Sequence, residues 1–323
     1  LDIYSQGTEV AYLSGDFEEM DKLGGIVLAK AKSLLEKVKI YEIIIVANIV
    51  QTKLIEAIEI GRDILTQLGT ELPEKPTEAD IGATMAEINN NLQGKSIEEL
   101  IELPPMTDGD RLGAMQILSK VWPAAYIGSP EMMPPMVFEM VNLSLKYGNS
   151  AMSAVGYSIY GLMLCGVFGD IESGYKFGQV ALKLLDKLND REFQAKVLTV
   201  FGAFIQPWKE HLNNTLAVFR EGYSRGIETG DLEYAGYSRV NVPYYSFLQG
   251  NNLEDLETEI ASSVEALKSI NQQVAQTWVK IYWQTTLNLQ GNAKEPTKFL
   301  GAAYNEEEML PLHQQTRDLS ATC

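Results

Sequence analysis

Along most of this chain apolar residues recur at three- and four-residue steps, the spacing that places them on one face of an α-helix. In "KLIEAIEIGRDILTQLG" the stripe is Leu54, Ile55, Ile58, Leu65 and Leu68, with Gly61 inside it and Gly69 as a stop. In "LEDLETEIASSVEALKSI" it is Leu253, Leu256, Ile260, Val264 and Leu267. Strand-like alternation is scarce. "YEIIIVANIV" is β-rich in composition but isolated, and it does not force a strand. Turn signals separate the helical stretches: "SGD" at 14–16, "GN" at 148–149, "FGD" at 168–170, "TGD" at 229–231, "QGNN" at 249–252 and "QGN" at 290–292. The one longer break, "GTELPEKPTEAD" from Gly69 to Asp80, is expected to be a loop made rigid by its prolines.

The helical pattern repeats. Asn149, Asp190 and Asp231 are spaced by 41 residues, each just ahead of a helix, and Met152, Phe193, Tyr234 and Ala275 keep the same step. Gly250 and Gly291 follow it too, each closing a helix. A unit of this length holds two helices, so the expected fold is all-α: a right-handed helical-repeat solenoid of antiparallel helix pairs, tetratricopeptide-like with a period near 41 residues. About fourteen to seventeen helices are expected. They form a single domain over 1–323, with N-terminal helices over 1–69, a loop and irregular helical insertion over 70–107, and regular helix pairs over 108–323.

The segment "LCGVFGDIESGYKFGQVALKLL" carries Gly166, Gly169, Gly174 and Gly178. A phosphate-binding loop would need a preceding strand and a following Lys-Ser or Lys-Thr, and neither is present. The 41-residue step instead carries Gly161 to Gly202 and Ala181 to Gly222. The expectation is that these glycines are packing positions, where helices cross closely.

Composition narrows the function. Hydrophobic residues make up 46%, enough for a sizeable core, and the formal charge is −17 from 26 basic and 43 acidic side chains. That balance excludes nucleic acid and anionic membranes as main partners and suits a neutral or basic one. Two cysteines, Cys165 and Cys323, build no disulfide framework, so a cytoplasmic setting is expected. With His211 and His313 as the only histidines, a Cys/His zinc site is not expected. The stretch from Tyr147 to Gly169 lacks charge and has spanning length, but its glycines and serines fit a buried central helix and no membrane insertion. The chain opens at Leu1 without a signal peptide and is read as a piece of a longer polypeptide.

No nucleotide-binding, kinase or hydrolase motif appears. The acidic groups "GDFEEMDK" and "YNEEEM" fit solvated helix starts, favoured there by the helix dipole, better than paired catalytic carboxylates. His211 fits a surface or capping role. The aromatic residues are the candidate site. Tyr234, Tyr237, Tyr244, Tyr245 and Phe247 fall on one helix, and Trp278, Tyr282 and Trp283 on the equivalent helix one repeat later. Tyr237 and Trp278 are in register, and Asn241 follows Tyr237 by one turn. Tyr237, Asn241, Tyr244, Trp278 and Tyr282 are the expected partner- or ligand-binding residues, with inter-repeat core as the competing account. No catalytic or metal-binding residue and no cofactor is assigned.

Five stretches carry a resemblance: "LIEAIEIGRDILTQLGTELPEKPT", "MQILSKVWPAAYIGSPEMMPPMVFEMVNLSLKYGNS", "YGLMLCGVFGDIESGYKFGQVAL", "GIETGDLEYAGYS" and "LGAAYNEEEMLPLHQQ". Together they resemble the helical region of cyanobacterial-type multidomain signalling proteins. In those proteins a serine/threonine kinase and an AAA ATPase precede the helical stretch, and a GAF sensor and a histidine kinase follow it. The resemblance spans nearly the whole chain. It implies ATP and magnesium for the parent polypeptide, through domains outside this chain, and carries no catalytic residue into it. The expected function is a non-catalytic module for protein or ligand interaction and signal relay. Its partners would be other domains of the same polypeptide and a protein or small-molecule signal, with a homodimer also allowed. The alternatives are an enzyme-like domain with its own small-molecule pocket, or a structural dimerisation segment.

Overall fold

The computed structural model describes residues 1–293 and 295–316; Cys323 lies outside them. The described residues form fifteen α-helices and no strand. They are α1 (Asp2–Leu13), α2 (Phe17–Lys30), α3 (Leu35–Val50), α4 (Leu54–Gln67), α5 (Glu78–Leu92), α6 (Gly109–Gly128), α7 (Met133–Tyr147), α8 (Ala151–Met163), α9 (Ile171–Leu188), α10 (Gln194–Val200), α11 (Asn213–Thr229), α12 (Leu232–Leu248), α13 (Leu253–Ser269), α14 (Gln273–Leu289) and α15 (Glu306–Thr316). Short 3-10 turns and two π-turns, Leu164–Phe168 and Phe201–Ile205, complete the path.

The helices start and stop where the chain supplies caps. Asp16 accepts the Glu19 amide at 3.0 Å, Asp108 that of Arg111 at 3.1 Å and Asp170 that of Ser173 at 3.1 Å, each satisfying a first-turn N–H. All six glycines in the turn signals have positive φ. "YEIIIVANIV" lies within α3, where Ile40, Ile43, Ile45 and Ala47 are buried, so tertiary packing overrides its β-rich composition. His211 is exposed, and its Nδ1 accepts the Asn213 amide at 3.2 Å beside the start of α11.

Consecutive helices pack as pairs, α1 with α2, α3 with α4, α11 with α12 and α13 with α14. The chain divides into two compact units. One holds Leu1–Gly161 with Gln179–Leu184, and the other holds Leu162–Gly178 with the residues from Leu185 onward. In the first unit, Ala11, Met20, Val27, Ile40, Ile43 and Ala47 make one core cluster. In the second, Val240, Leu256, Ile260, Val264, Leu267 and Val279 make another, while Phe219, Val242 and Tyr245 form a smaller one. On α4 the buried stripe is Ala57, Ile58, Gly61, Ile64 and Leu65; Ile55, expected inside it, is 51% exposed. Its replacements lie one helical turn apart along the same side.

Two local expectations need correction. The loop expected over 69–80 ends at Thr77, because Thr77 and Asp80 form a capping box that starts α5 at Glu78. The four glycines of 164–185 are not one kind of position. A Cβ on Gly178 would sit 2.7 Å from Phe201 Cδ2, so Gly178 is a close crossing. Gly169 instead turns the chain with φ +72°, and Gly166 faces open space. Asn149 stands just ahead of α8, as expected. It is buried, donating to the Leu100 carbonyl at 2.7 Å and accepting from the Tyr157 hydroxyl at 2.9 Å.

One helical stretch, Ala151–Phe168, is long and apolar enough to cross a membrane, and 67% of it is buried within the protein. Serines on it find partners on a neighbouring helix or on their own: Ser153 accepts from Ser144 of α7 at 2.7 Å, and Ser158 donates to the Val155 carbonyl. That is how a central helix of a packed unit handles its polar side chains.

Candidate functional site

The aromatic residues lie on α12 and α14 of the second unit. These helices pack on each other directly and also share α13 as a neighbour. Asp231 starts α12 by accepting the Tyr234 amide at 3.3 Å, which fixes the phase of the residues that follow. Positions 237, 241 and 244 then recur at four- and three-residue steps toward α14.

The structure brings four of the five expected residues into two ring pairs. Tyr237 and Trp278 are stacked, with centroids 6.1 Å apart and planes 11° apart. Tyr244 and Tyr282 meet at 5.2 Å with a 45° tilt. Tyr234 and Tyr245 extend the array by edge contacts to Tyr237 at 5.5 Å and to Tyr244 at 5.3 Å. The fifth residue, Asn241, lies between the pairs and donates its side-chain amide to the Tyr237 carbonyl at 2.9 Å. All five are half-buried. The rings therefore contribute to packing between α12 and α14 and still present an edge to solvent, with Trp278 and Tyr282 resting on the core below.

One member of the row was not foreseen. Lys196, on α10, precedes Tyr237 by the same 41 residues that separate Tyr237 from Trp278. It is 9% exposed, and its Nζ sits 4.9 Å from the Tyr234 ring centroid. The chain thus already places one of its own cations on this aromatic surface. The 41-residue step alone would have found it.

The phenols of this face are perturbed by their burial. Burial, then the neighbouring Glu233 carboxylate, hold the Tyr237 phenol well above its usual range, and its hydroxyl donates to Glu233 Oε1 at 3.0 Å. Burial raises Tyr282 likewise and pushes Tyr245 up to about 12, with the Tyr245 hydroxyl donating to the Ala203 carbonyl at 2.8 Å. These phenols stay neutral at physiological pH and offer ring surface and hydroxyls, not a base.

A separate cleft of about 430 Å³ opens between the end of α13 and the start of α14. Its lining includes Lys268, Asn271, Gln272, Gln276 and Lys280, and Val264 is the single apolar contributor. That is unlike the mostly apolar pockets that bury small substrates. Among the described residues no group of three or more His, Cys, Asp or Glu side chains could hold a metal ion. Cys165 is buried, and burial pushes its thiol up to about 11, far from a reactive thiolate.

Fold and face together define an all-helical protein with packed helix pairs and an aromatic seam on one of its units. No protein-family model matches the chain. It is similar to the hybrid signal transduction histidine kinase G of Dictyostelium discoideum, with 20% identity over 327 residues. The match covers 92% of this chain and 9% of that protein, so the chain corresponds to a small part of its relative's length.

Proposed function

We propose that this chain is a non-catalytic helical-repeat module that relays signals within a larger cytoplasmic signalling kinase. The observation that carries the reading is the α12–α14 aromatic seam: two ring pairs and an amide, half-exposed, with phenols held neutral. Tyr and Trp give large contact area at small conformational cost, as interface anchors do. The −17 charge and the Lys196 ammonium already lying on a tyrosine ring favour a basic or neutral partner. Similarity to a hybrid histidine kinase supports a kinase parent. The serine/threonine kinase, ATPase and GAF parts follow only from the resemblance set out above.

The solenoid reading draws support from α12 and α14, whose first residues, Leu232 and Gln273, are 41 positions apart. In a stacked array each pair touches its neighbours, so small changes of angle add along it, which suits relay.

The test uses the parent polypeptide. Exchanging Tyr237 and Trp278 together for alanine is expected to change its autophosphorylation rate about ten-fold, on the scale of one or two anchor residues. The isolated chain should keep its helical signal and a cooperative melt, lowered by the lost packing of the two rings. Loss of the fold in that double variant would make the rings core and overturn the reading. Incubating the isolated chain with labelled ATP and magnesium should give no turnover; turnover abolished by a point substitution within the chain would show it to be an enzyme.

A further inference from the structure

The cleft of about 430 Å³ between α13 and α14 takes no part in the aromatic seam. Two lysines line it, Lys268 from the last turn of α13 and Lys280 from the middle of α14. Lys268 is exposed and Lys280 is half-buried. Among the described residues neither ammonium is ion-paired. That is unusual in this chain. With 43 acidic side chains against 26 basic ones, its cations have carboxylates to spare. Lys39, Lys146, Lys209 and Arg220 each hold one on another helix. A partly desolvated cation gives up hydration that a counter-charge normally returns, so Lys280 leaves the cleft short of an anion.

The rest of the lining is polar. Gln276 donates its side-chain amide to the Val264 carbonyl at 3.2 Å, tying α14 to α13 at the cleft. Asn271, in the turn, and Gln273, the first residue of α14, add two exposed side-chain amides. Glu265 is the one acid among the lining residues, so two positive charges stand against one negative.

We propose that this cleft binds a single phosphoryl group, carried on a phosphomonoester or a phosphorylated side chain, between Lys268 and Lys280. Such a group brings a charge of about −1.5 to −2 at pH 7 and three acceptor oxygens. Each lysine meets it as a point charge, and the amides supply donors to the oxygens that remain. A carboxylate carries one charge on two oxygens and would leave one ammonium unanswered. A polyanion is disfavoured by the −17 of the whole chain, whose field repels extended negative charge. The cleft is larger than a phosphate ion, which leaves space for the group that carries it.

The test is calorimetric titration of the whole chain at low ionic strength with three probes: N-acetyl-phosphoserine amide, inorganic phosphate and acetate. The phosphoserine probe is expected to bind with a Kd of about 1 mM or tighter, and acetate about ten-fold more weakly. Lys268→Gln and Lys280→Gln should each weaken the phosphoserine probe about ten-fold. Glu265→Gln, which removes the opposing carboxylate, should tighten it about three-fold. Lys75→Gln, at an exposed lysine of the first unit, should change nothing. Equal binding of inorganic phosphate and the phosphoserine probe supports recognition of the phosphoryl group alone; tighter binding of the latter supports a carrier held in the cleft as well. Binding of neither, acetate as tight as phosphate, or the same loss in Lys75→Gln as in the cleft variants overturns the proposal. If Lys280→Gln fails to fold, unweakened binding in Lys268→Gln, at an exposed position, does so.

Discussion

Replacing Gly148 by alanine is expected to destabilise the first unit by about 3 kcal/mol or more, among the largest effects of any single methyl in the chain. Gly148 has φ +100° and ψ 179°, a region that side chains other than glycine's do not tolerate. A Cβ there would overlap the Pro104 carbonyl oxygen and lie 3.0 Å from its carbon, and backbone cannot swing aside as a side chain can. The damage would spread through Asn149. Its N–H donates to that Pro104 oxygen at 2.7 Å, and its own carbonyl accepts from Met106 at 2.8 Å. Its buried side chain joins Leu100 to Tyr157, which is fully buried. Each buried group left without a partner adds about 1–3 kcal/mol. Urea unfolding of Gly148→Ala against the native chain measures this. A loss below about 1 kcal/mol would mean that 104–106 can move away at little cost.

The second large effect lies in the other unit. Phe219→Ala is expected to cost about 3–5 kcal/mol. Phe219 is fully buried among Val242 and Tyr245, with the Tyr245 ring 5.0 Å away. It lies against Gly202, where an added Cβ would be 2.8 Å from Phe219 Cε1. Gly202→Val should therefore cost about 1–3 kcal/mol by overpacking. The two losses should not add. With the ring removed, valine at 202 gains room, so the double variant should be about 0.5–3 kcal/mol more stable than the sum of the singles predicts. Strict additivity in a denaturant double-mutant cycle would show that Gly202 does not serve the Phe219 contact.

Those glycines show how far the sequence could be read. Turns were legible because a positive φ leaves a local mark: glycine followed by Asp or Asn, with the acid capping the next helix, as in 168–170 and 229–231. The helical class was legible from periodicity. Packing was less so. Gly178 and Gly166 look alike in the chain, yet one meets Phe201 and the other meets nothing, because that depends on a partner residue far along the sequence. Ile55 and Ile64 are equally apolar on α4, and the positions of α3 and α6 decide which is covered.

The candidate site divides in the same way. The pairing of Tyr237 with Trp278 could be read from the 41-residue spacing, and the two rings do stack. Tyr244 meets Tyr282, 38 positions on, a pairing the 41-residue step does not give. Glu139 left no sign at all. A lone acid in "MVFEMVNLSLKY" has the pattern of an exposed helical position, yet it is half-buried and burial raises its carboxyl to about 7.

α3 carries one further consequence. Residues 41–50 are held as a helix by packing against α1, α2, α4 and α6. By composition the stretch is β-branched, free of proline and glycine, and charged only at Glu42. Short segments of this kind stack into cross-β ladders once their backbone is free to pair between molecules. The packing around α3 is therefore also the chain's protection against fibril formation. Any substitution that loosens it threatens solubility as well as stability.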